Sequence, residues 1–579
     1  MRSMRATALL RPARLAAVPR LVSSLPLSAQ RNMSTVSGLM QERPLLVSQL
    51  IDYAAKVHGG REIVSRTIED ASVIHRSSYA EVHRRSMRLA HALTKLGVQE
   101  GARVATVAWN GYRHMELYFA VSGMGAVLHT INPRMSPQQL IFVANHAQDE
   151  VVFVDLTFFA GISKLAPMMK ALKHVVVLTD RKHMPVTDLK NVLCYEDLLD
   201  AAPEASFAWP DLAETAASSL CYTSGTTGDP KGVLFSHRST VLHAWTLCAA
   251  NSFALSLRDS CLPVVPMFHV NAWGLPYGAC MAGCKLVLPG ANLDGKSLVE
   301  LMVVEKVTTA AGVPTIWQGL LAHMDATKTA LPHFERTVIG GSACSPSMIE
   351  AFKEKGVHVH HAWGMTELSP TGVVNAERWD AEELGAEERA AYTAKQGREM
   401  FGIELACFDA DGKECPRDGV TAGTLKCRGN WTVSGYFGSE KEVLDKDGWF
   451  DTGDLATITH DGYLQITDRA KDMIKSGGEW ISSIDLENMA LSLNPGIAQA
   501  AAIGVPHPKW DERPILCIVA KPDAKVTKEE VIASIAAKIP SWMVPEDVVF
   551  MDALPVGGTG KVVKAQLREQ FKGHLTTAK

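Results

Sequence analysis

A loop rich in hydroxyl groups and glycines, residues 222–233, has the most readily interpreted chemistry in the sequence. It carries hydroxyls at Thr223, Ser224, Thr226 and Thr227, glycines at Gly225, Gly228 and Gly232, and a positive charge at Lys231. Glycines let the backbone bend closely around an anion, while hydroxyls and a lysine supply donors and charge. The loop follows a short apolar stretch and precedes a helical pattern. We therefore predict a polyphosphate cradle on a loop between a strand and a helix.

A second stretch, residues 290–297, has the spacing of a Walker A phosphate loop and ends in Gly295-Lys296-Ser297. It also lies between an apolar run and a helical pattern. Asp294, however, would place a carboxylate beside the phosphates, and like charges repel. We interpret this stretch as a surface turn.

The elements that must position the first loop are indicated by hydrophobic periodicity. Apolar runs at residues 103–108, 150–154 and 174–178 predict buried parallel strands separated by helices, and residues 45–96 show a helical pattern. This alternation predicts an α/β fold with a mostly parallel sheet. Beyond Gly397, four Asp-Gly turn signals predict a small antiparallel, β-barrel-like part.

Four ordered motifs resemble those of the adenylate-forming superfamily, which includes acyl-CoA synthetases, peptide-synthetase adenylation domains and luciferases. They are the loop at 223–232, Trp-Gly-Met-Thr-Glu at 363–367, Asp-Thr-Gly-Asp at 451–454 and Asp-Arg-Ala-Lys-Asp at 468–472. The resemblance spans residues 44–571. Segments 265–273, 475–483 and 506–510 resemble the medium- and long-chain fatty acyl-CoA synthetase branch, and methylmercaptopropionate-CoA ligases are also similar.

The resemblance implies a domain organisation. Residues 42–467 would form a large N-terminal adenylate-forming domain of mostly parallel sheets with helices and the barrel-like part. Residues 468–471 would form a hinge, with Lys471 as the hinge residue. Residues 472–579 would form a smaller, mobile α+β C-terminal domain.

The resemblance also implies the residues that bind the nucleotide. They are Thr223, Ser224, Gly225, Thr226, Thr227, Gly228, Lys231, Gly341, Ser342, Ala343, Trp363, Gly364, Met365, Thr366, Glu367, Asp454, Arg469, Lys475 and Lys561. Trp363 stands where the family usually has tyrosine, so stacking on adenine is kept while a hydroxyl is lost. Thr223, Glu367 and Lys561 are predicted to be catalytic. Thr223 and Glu367 are also predicted to bind Mg²⁺, which prefers hard oxygen ligands.

The implied reaction joins a carboxylic acid to CoA through an acyl adenylate, with ATP and CoA as co-substrates. Lys561 would serve adenylate formation. Rotation of the C-terminal domain would then open a route for CoA, formed by Gly477, Gly478, Glu479 and Trp480. His269 and Trp273 would line the acyl pocket.

The predicted acid is a medium- or long-chain fatty acid, and methylmercaptopropionate or another short or aryl acid is the alternative. Two alternatives from a different class are a carrier-protein loading module and an inactive nucleotide-binding relative. The sequence disfavours the first because no carrier domain follows within its 579 residues. It disfavours the second because Lys561, Glu367 and the phosphate loop are intact.

The first 41 residues differ from the rest in composition, because they contain six arginines and no Asp or Glu. Such a segment predicts a mitochondrial transit peptide and a matrix enzyme. The alternative is a start at Met33 and a cytoplasmic enzyme. The whole chain has a net charge of −4, and removal of this segment would make it more acidic, so we expect no nucleic-acid partner.

Other composition signals are consistent with an ordinary enzyme that binds small molecules. Prolines and polar residues interrupt the most apolar region, so we expect no membrane span. The 11 cysteines form no C-x-x-C pair, which favours small buried residues in a reducing compartment over a zinc site. The oligomeric state is open, with a homodimer as one alternative.

Overall fold

The computed structural model describes residues 38–223, 229–477, 479–522, 524–557 and 561–576. The chain divides into two compact units, Met1–Arg43 and Pro44–Lys579. In the first unit, the described residues 38–43 form no helix or strand. The predicted transit peptide lies outside the described residues except for residues 38–41. The remaining description concerns the second unit.

Twenty-five strands are assigned in the described part of the chain. They are β1 Glu62–Arg66, β2 Ile74–Ser78, β3 Arg103–Val107, β4 Val127–Thr130, β5 Val151–Val154, β6 His174–Val177, β7 Val192–Cys194, β8 Ala217–Tyr222, β9 Gly232–Ser236, β10 Ser260–Pro263, β11 Lys285–Leu288, β12 Thr309–Gly312, β13 Arg336–Ile339, β14 His358–Gly364, β15 Thr371–Val374, β16 Gly397–Glu399, β17 Ile403–Phe408, β18 Gly423–Gly429, β19 Phe450–Ile458, β20 Tyr463–Arg469, β21 Ile474–Ser476, β22 Glu479–Ile481, β23 Ile497–His507, β24 Asp511–Ala520 and β25 Asp547–Phe550.

The same residues contain sixteen helical elements. They are α1 Val47–Val57, α2 Tyr79–Lys95, α3 Tyr112–Gly123, α4 Pro137–Ala147, α5 Leu156–Leu165, α6 Tyr195–Asp200, α7 His237–Leu247, α8 Val270–Trp273, α9 Leu275–Ala282, α10 Gly295–Glu305, α11 Pro314–Thr327, α12 Pro346–Lys353, α13 Ala386–Thr393, α14 Ser483–Leu493, α15 Lys528–Ala536 and α16 Lys564–Gln570. Short 3₁₀ turns lie at Ala166–Met168, Arg181–His183 and Thr366–Leu368.

The strands form three sheets. A seven-stranded sheet has the order β7-β6-β5-β3-β4-β8-β9 and is parallel except for β9. A thirteen-stranded sheet has the order β17-β18-β19-β20-β16-β15-β14-β13-β12-β10-β11-β1-β2. In this order, the adjacent strands β14, β13, β12, β10, β11 and β1 pair in parallel. The strands β15, β16, β20, β19, β18 and β17 on the other side of β14 pair antiparallel. A five-stranded sheet contains β21 to β25.

The α/β prediction is confirmed, including strands β3, β5 and β6 and the smaller C-terminal α+β part. The predicted small antiparallel part corresponds to β16–β20, which continue the hydrogen bonding of the large parallel sheet. Helix α3 contacts β4 and β8 of one large sheet and β1 of the other, and α1 packs on α3, α7 and α9. A helical layer therefore lies between the two large sheets.

Two predictions about local structure are wrong. Residues 45–96 are not helical throughout, because the hairpin of β1 and β2 separates α1 from α2. Strand β2 is an edge strand with the mixed sequence Ile-His-Arg-Ser-Ser, so it lacks the apolar alternation that would have indicated a strand. The loop at 223–231 joins two antiparallel strands, β8 and β9, and the helix α7 begins only after β9.

The interpretation of residues 290–297 as a surface turn is correct only in part, because Gly290 is buried and residues 295–297 form the first turn of α10. The Asp294 carboxylate accepts a hydrogen bond from the Ser297 backbone N–H at 3.0 Å and thereby caps α10. Lys296 is 71% exposed. The carboxylate occupies the position at a helix start where a phosphate would have to bind.

Candidate active site

One cavity of about 1020 Å³ brings most of the predicted site residues together. Its lining includes Thr223, Lys231, His269, Trp273, Gly341, Ser342, Ala343, Trp363, Gly364, Met365, Thr366, Glu367, Arg469, Lys471 and Lys561. Several of these residues follow the carboxyl ends of parallel strands β13 and β14, where open α/β sheets usually bind ligands. Ser224, Gly225, Thr226, Thr227 and Gly228 were also predicted to bind phosphate, and they lie outside the described residues.

The base of the phosphate loop is closed by Thr223 and Lys231. The Thr223 N–H donates to the Lys231 carbonyl at 2.9 Å, and the Lys231 N–H donates to Thr223 Oγ1 at 3.2 Å. These bonds extend the pairing of β8 with β9 by one residue pair. Thr223 and Lys231 therefore lie side by side at the two ends of the loop, and both line the cavity.

Glu367 lies on the short turn Thr366–Leu368 that follows β14, and only 7% of its surface is exposed. Its Oε1 accepts a hydrogen bond from the Tyr436 hydroxyl at 2.8 Å. The ring of Tyr436 also lies 4.8 Å from the Lys231 ammonium. Sequence reasoning did not identify Tyr436, although two glycines, Gly435 and Gly438, flank its aromatic pair and indicate a turn that brings aromatics close to other backbone.

The Trp363 indole and the Asp454 carboxylate form one unit. Trp363 Nε1 donates to Asp454 Oδ2 at 2.8 Å, and Arg469 Nε lies 3.2 Å from Asp454 Oδ1. A Cβ added to Gly372 would lie 2.8 Å from Trp363 Cζ3, so that glycine covers one side of the indole. The replacement of tyrosine by tryptophan therefore provides a ring N–H donor, which fixes the carboxylate predicted to bind ribose.

A narrow passage brings Trp273, Gly341 and Lys561 close together. A Cβ on Gly341 would lie 3.1 Å from Val313 Cγ1, 3.7 Å from Lys561 Cε and 3.8 Å from Trp273 Cζ2. Gly341 has φ +82°, a conformation that favours glycine. A side chain at this position would fill the space between the lysine and the indole.

The electrostatic surroundings of Lys561 are mixed. Burial in the cavity, together with the positive charge of Arg469, lowers the pKa of Lys561 to about 8, while Asp454 and Glu367 act in the opposite direction. Burial and the Lys561 charge lower the pKa of His269 to about 3. At neutral pH the site therefore presents a cationic lysine and an uncharged histidine.

The Trp273 side chain projects from a turn whose backbone is in the left-handed conformation. Val270, Asn271, Ala272 and Trp273 have φ of 42°, 52°, 51° and 54°. Each such non-glycine residue costs roughly 1–2 kcal/mol. Asn271 holds the turn, because its Nδ2 donates to Ser219 Oγ at 3.2 Å and to the Tyr277 hydroxyl at 3.0 Å. The Cys221 thiol donates to Asn271 Oδ1 at 2.9 Å.

A cluster of hydrogen-bonded charged and hydroxyl side chains, which the sequence did not reveal, includes Asp468, the first residue of the predicted hinge. The buried Asp468 carboxylate accepts from the Ser483 N–H at 2.5 Å and from its hydroxyl at 2.8 Å. The Lys564 ammonium donates to Ser483 Oγ and lies 2.6 Å from Glu487 Oε1. Lys564 is the first residue of α16 and lies three residues after Lys561, and no sequence signal indicated its position here. The cluster joins the end of β20 to α14 and α16.

The residues predicted for the CoA route lie elsewhere, and so does Lys475, which was predicted to bind the nucleotide. Lys475, Gly477, Glu479 and Trp480 do not line the cavity, and Gly478 lies outside the described residues. The Lys475 ammonium lies 5.7 Å from the Trp480 ring, and Trp480 is 54% exposed. A Cβ on Gly477 would lie 2.9 Å from Trp510 Cε3. The structure therefore brings Lys561, and not Lys475 or the 477–480 loop, to the nucleotide residues.

No group of three or more His, Cys, Asp or Glu side chains suited to a metal ion is found in the described residues. The donors available at the cavity, the Glu367 carboxylate and the Thr223 hydroxyl, are hard oxygen ligands of the kind Mg²⁺ accepts alongside substrate phosphates. The residues fit a magnesium ion that arrives with a nucleotide.

No described helix is long and apolar enough to cross a membrane.

The fold of this chain resembles that of solved structures. An anthranilate-CoA ligase in complex with anthranoyl-AMP superposes with a TM-score of 0.81 at 22% identity, covering 93% of this chain and 99% of that one. This likeness shows that the chain has the same fold, and in it Thr223, Lys231, Trp363 and Lys561 line one cavity.

The chain belongs to the AMP-binding enzyme family, whose model matches residues 51–437, and the model of that family's C-terminal domain matches residues 486–561. A 3-methylmercaptopropionyl-CoA ligase of Ruegeria lacuscaerulensis is 50% identical over 93% of this chain and 99% of its own length. A medium-chain fatty acid-CoA ligase of Ectopseudomonas oleovorans is 46% identical, over 92% and 97%. A long-chain fatty acid-CoA ligase of Thermus thermophilus is 41% identical, over 94% and 98%.

The predicted superfamily is therefore confirmed, and the protein is an AMP-forming acid-thiol ligase. These three relatives are bacterial, so they give no support to mitochondrial import, which stays a prediction. The roles of the individual site residues and the predicted domain limits also stay predictions.

Proposed function

We propose that this enzyme activates an aliphatic carboxylic acid, with a medium- or long-chain fatty acid as the first candidate. The observation that carries the proposal is the position of Trp273 against the glycine turn. A Cβ on Gly340 would lie 3.4 Å from Trp273 Cη2, and a Cβ on Gly341 would lie 3.8 Å from Trp273 Cζ2 and 3.7 Å from Lys561 Cε. The indole thus stands next to the group that would hold a carboxylate.

The Trp273 side chain is buried. It is 6% exposed and belongs to the large hydrophobic cluster of the N-terminal part of the chain. The adjoining His269 is uncharged at neutral pH because of its low pKa. An apolar acyl chain is the ligand that such walls favour, since burying each methylene stabilises the complex by about 0.8 kcal/mol.

The reaction follows from the arrangement of charges. A carboxylate is a poor acyl donor, so its oxygen attacks the α-phosphate of ATP, which forms an acyl adenylate and releases pyrophosphate. The thiol of CoA then attacks the acyl carbon and releases AMP. Lys561 would bridge the carboxylate and the α-phosphate, and Lys231 with Thr223 would hold the outer phosphates. The Asp454 carboxylate would accept hydrogen bonds from the ribose hydroxyls.

Thr223 and Glu367 would hold Mg²⁺, which neutralises polyphosphate charge when bound. The buried Glu367 carboxylate has its orientation fixed by Tyr436. The protein itself contributes position and electrostatic stabilisation in both steps, and no side chain needs to form a covalent intermediate.

A second candidate substrate is 3-methylmercaptopropionate. It is favoured by the 50% and 48% identities to two 3-methylmercaptopropionyl-CoA ligases from Ruegeria species. A thioether sulfur is nearly apolar, so it suits the same wall. The two candidates differ in how much chain the pocket must hold.

The experiment is a kcat/KM series over saturated acids from C4 to C18 together with 3-methylmercaptopropionate, with CoA thioester formation as the readout. A fatty-acid site predicts a rise of roughly fourfold per carbon until the pocket is full. An optimum at or below four carbons, with 3-methylmercaptopropionate preferred, would replace the fatty acid by the second candidate. Adenylate formation without any CoA thioester would point to the carrier-loading class instead.

The series is repeated with Trp273→Ala. We expect a shift of the optimum to longer chains, because removal of the indole opens the wall beside Gly340. An unchanged chain-length profile in this variant would show that Trp273 only packs in the core.

A further inference from the structure

A short segment, residues 433–437, connects the two halves of the proposed polyphosphate site. At one end the Val433 N–H donates to the Glu367 carbonyl at 2.8 Å. At the other end the Phe437 N–H donates to the Gly232 carbonyl, also at 2.8 Å. The backbone of this connecting segment therefore spans from the turn that carries Glu367 to the base of the phosphate loop.

The Tyr436 side chain repeats this connection with its functional groups. Its hydroxyl donates to Glu367 Oε1 at 2.8 Å, and its ring lies 4.8 Å from the Lys231 ammonium. A single side chain thus contacts both an acidic and a basic residue of the site.

The ring is itself fixed by packing. Tyr436 packs against a buried cluster made of Cys221, Val233, Phe235 and Val270. Cys221 and Val233 belong to the strands on either side of the phosphate loop, and Val270 begins the left-handed turn. Because these elements hold the ring, the hydroxyl and the ring face have little freedom, and they restrain the two charged groups they touch.

We propose that Tyr436 is a positioning residue that orients the Glu367 carboxylate through its hydroxyl and the Lys231 ammonium through its ring. The inference rests on the proposed function, because the two charges matter only if magnesium-bound ATP occupies the cavity. The hydroxyl and the ring act on different groups, so their contributions are separable. The hydroxyl affects the magnesium-dependent part of nucleotide binding, and the ring affects the part that needs no metal.

The test uses the full chain and a non-reactive ATP analogue with a methylene group between the α- and β-phosphates. Its dissociation constant is measured by calorimetry with Mg²⁺ and with EDTA. Tyr436→Phe removes the hydroxyl and keeps the ring, so we expect about tenfold weaker binding with Mg²⁺ and unchanged binding with EDTA. Tyr436→Leu removes both groups, and we expect weaker binding under both conditions.

Coupling to Glu367 is tested in a double-mutant cycle. If Tyr436 acts through Glu367, Tyr436→Phe has no further effect in a Glu367→Gln background. Tyr463→Phe is the matched control, because the Tyr463 hydroxyl is buried without a hydrogen-bond partner among the described residues. It is expected to bind like the wild type.

Three outcomes would overturn the inference. They are full magnesium-dependent binding in Tyr436→Phe, effects of Tyr436→Phe and Glu367→Gln that simply add, and a Tyr436→Phe protein whose binding is weakened equally with EDTA. Thermal unfolding of each variant separates misfolding from loss of position. Failure of the proposed function is distinguishable, since it would appear in the wild type as absence of acyl-CoA formation.

Discussion

The pKa of Lys561 gives a pH dependence that can be worked out in advance. Burial in the cavity and the Arg469 charge lower this pKa to about 8, so the cation is present below pH 8 and is lost as the pH rises through that value. The protonated fraction falls from roughly 0.9 at pH 7 to roughly 0.1 at pH 9. We therefore expect kcat/KM for ATP in adenylate formation to fall about tenfold across this interval.

The assay is exchange of labelled pyrophosphate into ATP with one carboxylic acid at fixed concentration, followed from pH 6.5 to 9.5. Because kcat/KM reports groups of the free enzyme, the pKa of the unliganded cavity applies. Lys561→Arg keeps a cation at every pH in this range, so its absolute rate falls but its profile becomes flat near pH 8. Lys572→Ala, which removes a lysine that is 70% exposed, serves as the control and keeps the wild-type profile.

Two results would refute the reasoning. One is a wild-type profile that stays flat from pH 7 to 9, which would place the Lys561 pKa outside this interval. The other is the same decline in Lys561→Arg, which would assign the titration to a different group.

Three further predictions concern domain alternation and targeting. Lys561→Ala should lower the rate of acyl-AMP formation by roughly 10²–10³, while the rate of thioester formation from supplied acyl-AMP stays within about twofold. An equal loss in both half-reactions would contradict the prediction that Lys561 serves only adenylate formation. Lys471→Pro should slow the overall reaction while sparing pyrophosphate exchange, because proline fixes φ at the predicted hinge; a normal overall rate measured with CoA would exclude Lys471 as the hinge. Residues 1–41 fused to a fluorescent reporter should direct it into mitochondria, and diffuse cytosolic fluorescence would favour a start at Met33.

The sequence predicted most of the fold and the cavity because the relevant signals are local. A phosphate loop, a glycine turn at 340–343 and motifs that follow strand ends carry their chemistry within a few residues. The hairpin of β1 and β2 was missed because its edge strand carries His, Arg and Ser. The left-handed turn and the contacts of Tyr436 were missed for another reason, since both depend on partners more than 50 residues away in sequence, such as Ser219 for Asn271 and Glu367 for Tyr436. No periodicity encodes such pairings.

The residues predicted to hold adenosine are all carried by the thirteen-stranded sheet: the turn at 340–343 follows β13, Trp363 lies in β14 and Asp454 in β19. Lys561 belongs to the chain that follows the five-stranded sheet and enters the cavity from that side. A nucleoside bound to the thirteen-stranded sheet would therefore keep its contacts if the lysine withdrew. This arrangement predicts the order of product release, because pyrophosphate would depart from the loop while the acyl adenylate stays bound, and AMP would be released only after the thiol has reacted. AMP would accordingly compete with ATP as a product inhibitor, whichever face of the C-terminal part is turned toward the cavity.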